Sequence, residues 1–344
     1  MVFYLGELGG CLDAQGKLVE ESTVYNAFGG KYEYDSSIQH VDETVLYIPI
    51  IPKQWGHFLI DTVSRLWIFL DNRFDVKDTK IYVNIWGFSE NKITGNYKKF
   101  LEYLGIFGKI KIVDHPIQAS EVWIPTYTMS FAKTYNLEYK TVLEYVTKQI
   151  MESDKVTHLQ HYDYIYLSRT KLPTSKMKEI GEIDIERFLE DNGFKILYPE
   201  ELSLEEQVFY FQTSKIVAGM SGTIMHNIGF ARKETKLCIM NRTCMLNAPQ
   251  LLLNKLFENE VYIVDAYVES TTKHPRDYGT GPFWLEVNDN VIRFLEDNGF
   301  KKRQVIHTTP QNRLKYSISL LYFNLKYNKF TIFIYYNLMK LKNK

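Results

Sequence analysis

Apolar residues along this chain fall into short continuous runs and longer helix-period stripes, which alternate from one end to the other. TVLYIPI (44–50), KIYVNI (80–85), KIKIV (109–113) and EVWIP (121–125) have strand length and strand composition. HFLIDTVSRLWIFL (57–70), NYKKFLEYLGI (96–106) and LEYKTVLEYVTKQIM (137–151) are long enough for helices and carry helical spacing. The second half alternates more cleanly. Strands are predicted at YIYLS (164–168), FKILYP (194–199), KIVAG (215–219), TKLCIM (235–240) and EVYIVDAY (260–267). Helices are predicted between them at DIERFLEDNG (184–193), LSLEEQVFYFQTS (202–214), TIMHNIGFA (223–231) and QLLLNKLFE (250–258). Ser203 and Glu206 form a capping box at the start of the second of these. Such alternation predicts an α/β fold with parallel sheets covered by helices on both faces. ESDKVTHLQHYD (152–163) is polar and without period, so the domain boundary is expected there, giving units 1–158 and 159–300.

RFLEDNGFK occurs at 187–195 and again, unchanged, at 293–301. Two copies do not make a solenoid. Each reads as a helix end with Gly193 or Gly299 in the left-handed capping position. Beyond residue 300 the composition shifts. Arg313 to Lys344 contains seven basic residues and no acidic one, interleaved with Tyr, Phe, Ile and Leu. One reading is a helix packed on the body with a solvated basic edge. The other, which the absence of acids favours, is an interfacial segment on an anionic membrane surface.

The 344 residues suffice for two domains, each with its own core. Lys+Arg and Asp+Glu balance at 41 each, so bulk charge gives no argument for a nucleic-acid partner. Cys11, Cys238 and Cys244 fit neither a metal-ligand nor a CxxC spacing, which points to a reducing compartment. The start, MVFYLGELGG, lacks the basic and apolar regions of a signal peptide. No apolar run reaches the roughly 18 residues of a spanning helix. A cytoplasmic protein, free or peripheral on the inner face of the membrane, is expected.

VAGMSGTIMHN (217–227) carries Gly219, Ser221, Gly222 and Thr223 between a strand and a helix. A strand feeding a helix through glycines presents free N–H groups backed by the helix dipole, which suits a phosphate. Taken alone, the loop reads better as a capped helix start that binds nothing. SRTK (168–171) adds Arg169 and Lys171 after the first strand of the same unit, and PEELS (199–203) adds Glu200 and Glu201 after the second. Ligands of doubly wound folds gather at this end of the strands. Cations there suit a diphosphate and acids suit ribose hydroxyls, although acids at a helix start are also favourable on dipole grounds. In the first half, His57, Asp61 and Arg65 are spaced i, i+4 and i+8 among apolar neighbours, so one helix face carries them. They read either as an Asp61–Arg65 ion pair with a core histidine, or as a general base at a cleft wall.

In combination these elements resemble glycosyltransferase family 61, which includes bacterial capsular and exopolysaccharide enzymes. GHFLIDTVSRLW (56–67) is similar to the family's His-Phe-Leu-x-Asp helix, and YLSRTK (166–171) to its Tyr-x-Ser-Arg element. GFKILYPEELSLEEQVFYFQTSKIVAGMSGTIMHNIGF (193–230) resembles its longest block, and GTGPFWLEV (279–287) a late element. The loop departs from the pattern: Ser221 stands at the family's histidine position, Thr223 and Ile224 replace an alanine and a glycine, and Asn227 is kept. Ser64 replaces the family's proline. The resemblance implies a GT-B architecture, two Rossmann-like domains facing each other across a cleft. It implies an inverting, metal-independent enzyme with a nucleotide-sugar donor, UDP first, and a saccharide or lipid-linked acceptor. No Asp-x-Asp occurs, so the usual metal–diphosphate ligand pair is missing from the sequence. Expected donor contacts are Arg169, Lys171, Glu200, Glu201, Gly219, Ser221, Gly222, Thr223 and Asn227. Expected catalytic groups are Asp61, then His57; Arg65, His274 and Arg276 are expected on the acceptor side. The alternative is a non-catalytic nucleotide- or glycan-binding protein on the same scaffold.

Overall fold

The computed structural model describes residues 9–24, 38–130, 134–173, 175, 178–268, 281–300 and 309–326. A short antiparallel ribbon, β1 (Cys11–Leu12) and β2 (Leu18–Val19), precedes the first large strand, β3 (Gln39–Pro52). A helical stretch over 55–69 follows, beginning with α1 (Trp55–His57). Next come β4 (Lys80–Trp86), α2 (Gly95–Tyr103), β5 (Ile110–Ile112), β6 (Ile117–Trp123) and α3 (Leu137–Met151). The four large strands form one parallel sheet, ordered β5-β4-β3-β6. Its two halves grow outward in opposite directions from between β3 and β6, the strand order of a dinucleotide-type sheet.

The second half contains β7 (Tyr164–Leu167), β8 (Glu179–Ile180), α4 (Glu182–Asp191), β9 (Lys195–Leu197) and α5 (Leu204–Thr213). It continues through β10 (Ile216–Met220), β11 (Lys236–Asn241), α6 (Ala248–Phe257), β12 (Val261–Asp265), β13 (Phe283–Trp284), α7 (Asp289–Asp297) and α8 (Pro310–Lys326). Five strands form a parallel sheet ordered β12-β11-β10-β7-β9, and its order reverses between β7 and β10. β8 and β13 make a separate two-stranded parallel ribbon.

The period-2 rule assigns the faces of this sheet. Ile165, Leu167, Val217, Leu237 and Ile239 join an apolar cluster with α5, α6 and residues 223–230. Tyr166, Ile216, Ala218, Cys238 and Met240 join another with α4 and α7. Both faces are therefore covered, which is why these strands read as continuous apolar runs. The first cluster also takes in Leu46, Ile48, Ile81 and Val83 of the first sheet, together with Tyr139, Val142, Leu143 and Val146 of α3. One continuous core thus joins the two sheets, with α3 between them.

The expected elements recur with small shifts, and α3 spans residues 137–151 as the pattern indicated. The capping box is formed: the Glu206 N–H donates to Ser203 Oγ and the Ser203 N–H to Glu206 Oε2. The stretch 55–69 departs from a plain α-helix. It opens as α, becomes a π turn over Phe58–Thr62 and ends as a 3-10 helix over Val63–Phe69. Π turns interrupt helices where an extra residue must be fitted into the register, and this one contains Asp61. The two RFLEDNGFK copies are neighbours on one face. Gly193 (φ +90°) and Gly299 (φ +81°) end α4 and α7, and Phe194 and Phe300 then stack 5.2 Å apart against Tyr164.

Candidate functional site

The order reversal of the second sheet leaves a crevice beyond the C-terminal ends of β7 and β10, the place where doubly wound folds bind ligands. After β7 comes Arg169, and after β10 come Ser221 and Gly222. Gly222 has φ +151°, outside the range L side chains favour. A Cβ there would sit 3.6 Å from Arg242 Nη2 and 3.7 Å from Arg169 Nη1. Two guanidiniums therefore flank the bare backbone that opens the 3-10 helix Thr223–Phe230. Ser221 Oγ is buried beside them and makes no hydrogen bond among the described residues.

Glu179 of β8 fixes both cations. Arg169 Nε lies 2.9 Å from its Oε1 and 3.1 Å from its Oε2, and Arg242 Nη1 donates to Oε1. Burial would raise the Glu179 carboxyl, but the charges of Arg169 and Arg242 outweigh it and hold the group below its ordinary range. The Arg242 guanidinium also lies over the Phe283 ring, 4.6 Å from its centroid. Two guanidiniums thus share the Glu179 carboxylate beside the Gly222 backbone, and Lys178 lies next to them, its pKa pulled down by burial. The backbone of the loop is held from behind. Glu182 Oε1 accepts from the Arg169 N–H (2.8 Å) and from Tyr166 Oη (3.1 Å). Glu186 Oε2 accepts from Ser168 Oγ (2.5 Å) and Thr170 Oγ1 (2.6 Å). Burial, reinforced by the neighbouring Glu179 charge, pushes the Glu182 carboxyl up to about 8.

The other polar group lies beyond the C-terminal end of β3, in the helical stretch 55–69. His57 Nδ1 is 2.9 Å from Asp61 Oδ2, with the Asp61 side chain 3% exposed and the imidazole 35% exposed. An ionised carboxylate only accepts, so in this pair the proton lies on the Nδ1 side of the ring. An exposed imidazole oriented by a buried carboxylate is the arrangement that lets a histidine take a proton from a substrate.

The two groups are joined at Gly56. A Cβ on Gly56 would meet His226 Nδ1, Thr223 Cγ2 and Thr223 Oγ1, each at 3.1 Å, so any larger residue would push these side chains back. Trp55 Nε1 donates to Asn227 Oδ1 (2.6 Å), and Asn227 Nδ2 donates to Gln207 Oε1 (2.9 Å), tying the same corner. His57 and Gly222 each follow or precede these contact residues by one position. His226 is buried, and burial, outweighing a side-chain contact with Asn247, pushes it down to about 4.

Not all expected site residues gather here. Arg169, Ser221, Gly222 and Thr223 do. Lys171 turns to the end of β9, where Nζ pairs with Glu201 Oε1 at 2.9 Å and lies over the Tyr198 ring; Glu200 is exposed beside them. Arg242 takes the second cationic position instead. Gly219 lies within β10, where a Cβ would come within 2.9 Å of Met225 Sδ, so its small size serves packing. Asn227 is wholly buried and its amide is used by Trp55 and Gln207. Arg65, expected on the acceptor side, is 1% exposed. Its guanidinium stacks on Tyr127 and donates to the carbonyls of Pro125 and Thr23, so among the described residues it does not pair with Asp61. His274 and Arg276 lie outside the described residues. The sequence reading missed Arg242, Glu179 and Glu182. Arg242 had a signal, a basic residue directly after an apolar strand; the two acids, beside a two-residue strand, had none.

No curated protein matches the chain. The family model Glycosyltransferase 61 matches residues 55–238, more than half of the chain and inclusive of Gly56, His57, Asp61, Arg169 and the Ser221–Asn227 loop. With that match on residues that the fold brings to one corner, the chain belongs to the glycosyltransferase 61 family.

Proposed function

We propose that the chain transfers a sugar from a nucleoside-diphosphate sugar, UDP in the first instance, to a hydroxyl of a saccharide or lipid-linked saccharide acceptor. The transfer inverts the anomeric carbon and uses no metal ion. The two sheets are read as the halves of a GT-B enzyme, 1–158 on the acceptor side and 159–300 on the donor side. Assembly of a surface polysaccharide such as a capsule, at the cytoplasmic face of the membrane, is the setting that fits such substrates.

The observation that supports this most is the Gly56 contact, which sets a histidine–carboxylate pair against a two-arginine cradle. In the proposed reaction the acceptor O–H gives its proton to His57 Nε2, and Asp61 stabilises the imidazolium that results. The acceptor oxygen forms a bond to C1 of the sugar as the bond from C1 to the diphosphate oxygen breaks. The electron pair goes to the diphosphate. Arg169, Arg242, the Ser221 hydroxyl and the N–H groups at Gly222–Ile224 balance the charge that develops there, preorganised by Glu179. The two guanidiniums supply the positive charge a divalent ion supplies in other transferases. Glu200 is the residue proposed to accept from ribose hydroxyls.

Release of UDP, GDP or dTDP from the corresponding nucleotide sugars, and of CMP from CMP-sugars as a contrast, with and without saccharide acceptors, tests this. Arg169→Ala is expected to raise the donor KM and lower release with every donor. His57→Gln is expected to reduce kcat for transfer by about 10²–10⁴-fold while donor binding persists. Donor binding without turnover by the native chain would favour the non-catalytic alternative. Full transfer by His57→Gln would sink the base assignment.

A further inference from the structure

α8 has two apolar faces, and only one of them is used. Tyr316, Ser319 and Phe323 are buried on the body; Tyr316 stacks on Trp284 of β13 at 5.3 Å and packs with Ile180 of β8. Asn312 Nδ2 donates to Asp184 Oδ2 of α4 at 2.6 Å, which fastens the first turn. On the opposite side stand Leu314 (63% exposed), Ile318 (56%), Leu321 (62%) and Leu325 (55%), spaced i, i+4, i+7 and i+11. At 100° per residue these four fall within about 60° of one another and nearly 180° from Tyr316 and Phe323. They form an apolar ridge about 17 Å long pointing away from the protein. Tyr322 is exposed on its shoulder.

Single exposed leucines are ordinary, but four in register on one short helix are not. The polar flanks say what covers them. α8 carries Arg313, Lys315 and Lys326 and no acidic residue, and the sequence from 313 to 344 carries none either. A second copy of the same ridge would bring like charges together, which opposes self-pairing. An anionic lipid surface offers both what the ridge needs and what the flanks need: an acyl boundary for leucines and headgroup charge for the basic side chains. α8 cannot cross a bilayer, since its other face is docked; it would lie in the plane of the interface.

We infer that α8 is a membrane-docking helix that lays its Leu314–Ile318–Leu321–Leu325 ridge into an anionic lipid surface. The inner face of α8 rests on the β8/β13 ribbon, whose Glu179 and Phe283 hold the crevice arginines. The docked surface is therefore one layer from the proposed diphosphate cradle. A lipid-linked acceptor, if the proposed function holds, would be delivered to that side.

The test needs no catalytic activity, so its failure is separable from failure of the proposed reaction. The full chain is sedimented with vesicles of phosphatidylcholine alone, and with vesicles of two parts phosphatidylcholine to one part phosphatidylglycerol, at low and high salt. Binding is expected only to the anionic vesicles, weakening with salt. Ile318→Glu combined with Leu321→Glu is expected to lower partitioning by roughly a hundredfold, with far-ultraviolet dichroism and Tm unchanged. Should that pair unfold the chain, Leu314→Ser with Leu325→Ser is read instead. Arg313→Gln with Lys315→Gln is expected to cost about twentyfold on the anionic vesicles and nothing on phosphatidylcholine alone. Absence of binding by the native chain, equal binding to both vesicle types, or unaltered binding by a folded ridge variant would overturn the inference. So would a native dimer, seen by light scattering, that the ridge variant converts to monomer.

Discussion

The His57–Asp61 pair and the Arg169–Glu179–Arg242 triad each bury a carboxylate, but they compensate it with different kinds of cation. Asp61 faces an imidazole, a group able to act as either donor or acceptor, on a side chain that is partly exposed. Glu179 faces two guanidiniums, whose charge is permanent. The first arrangement can move a proton; the second cannot, but it holds two guanidiniums fixed beside the Gly222 backbone. In the proposed reaction, proton transfer and anion stabilisation would fall on opposite sides of the Gly56 contact, one from each sheet. A transferase that must deprotonate an acceptor and stabilise a leaving diphosphate needs that division.

The comparison breaks most severely at Glu179. Glu179→Gln would remove the buried carboxylate that Arg169 and Arg242 share, and about 3–5 kcal/mol of stability is expected to be lost. Chemical denaturation measures it; a loss under 1 kcal/mol on that scale would show that the arginines relax into solvent. Asp61→Asn is the corresponding change on the proton-moving side. Its expected effect is on kcat for transfer, a fall of about 10²–10⁴-fold, with the donor KM unchanged. A raised donor KM with intact kcat would instead put Asp61 on the donor side.

Glu182, the carboxyl behind the Arg169 loop, differs in that its effect is confined to a pH window. Its ordinary value of 4.5 rises to about 8 in the folded chain, from burial first and the Glu179 charge second. Below pH 4.5 folded and unfolded chains are both protonated there. Between 4.5 and about 8 the unfolded chain ionises while the folded one keeps its proton, so stability falls as pH rises. Glu182→Gln should flatten that slope and raise Tm near pH 8. An unchanged Tm–pH profile would mean that Glu182 is ionised in the folded state.

Much of the fold was legible because its signals are local. The bounds of α3, the capping box of Ser203 and Glu206 and the left-handed glycines ending α4 and α7 follow from residues within a turn or two of each other. The repeated RFLEDNGFK was legible as two helix stops, but not as neighbours, since the Phe194–Phe300 stack joins positions over a hundred residues apart. The site was legible where helical spacing grouped His57 with Asp61 and where a residue follows a strand directly. Arg169, Ser221 and Gly222 were placed in the second way, whereas Lys171 was drawn to Glu201 and its expected place went to Arg242.

By itself, then, the sequence determined the alternation of strands and helices, the family through residues 55–238, and the candidate histidine, carboxylate and arginine positions. Tertiary structure alone decided which charges meet: that Asp61 lies behind His57 rather than beside Arg65, that Glu179 gathers two arginines, and that α8 keeps a second apolar face outward. The reason is physical. Backbone periodicity and caps depend on near neighbours, whereas burial and charge pairing depend on whatever the fold carries across from distant parts of the chain.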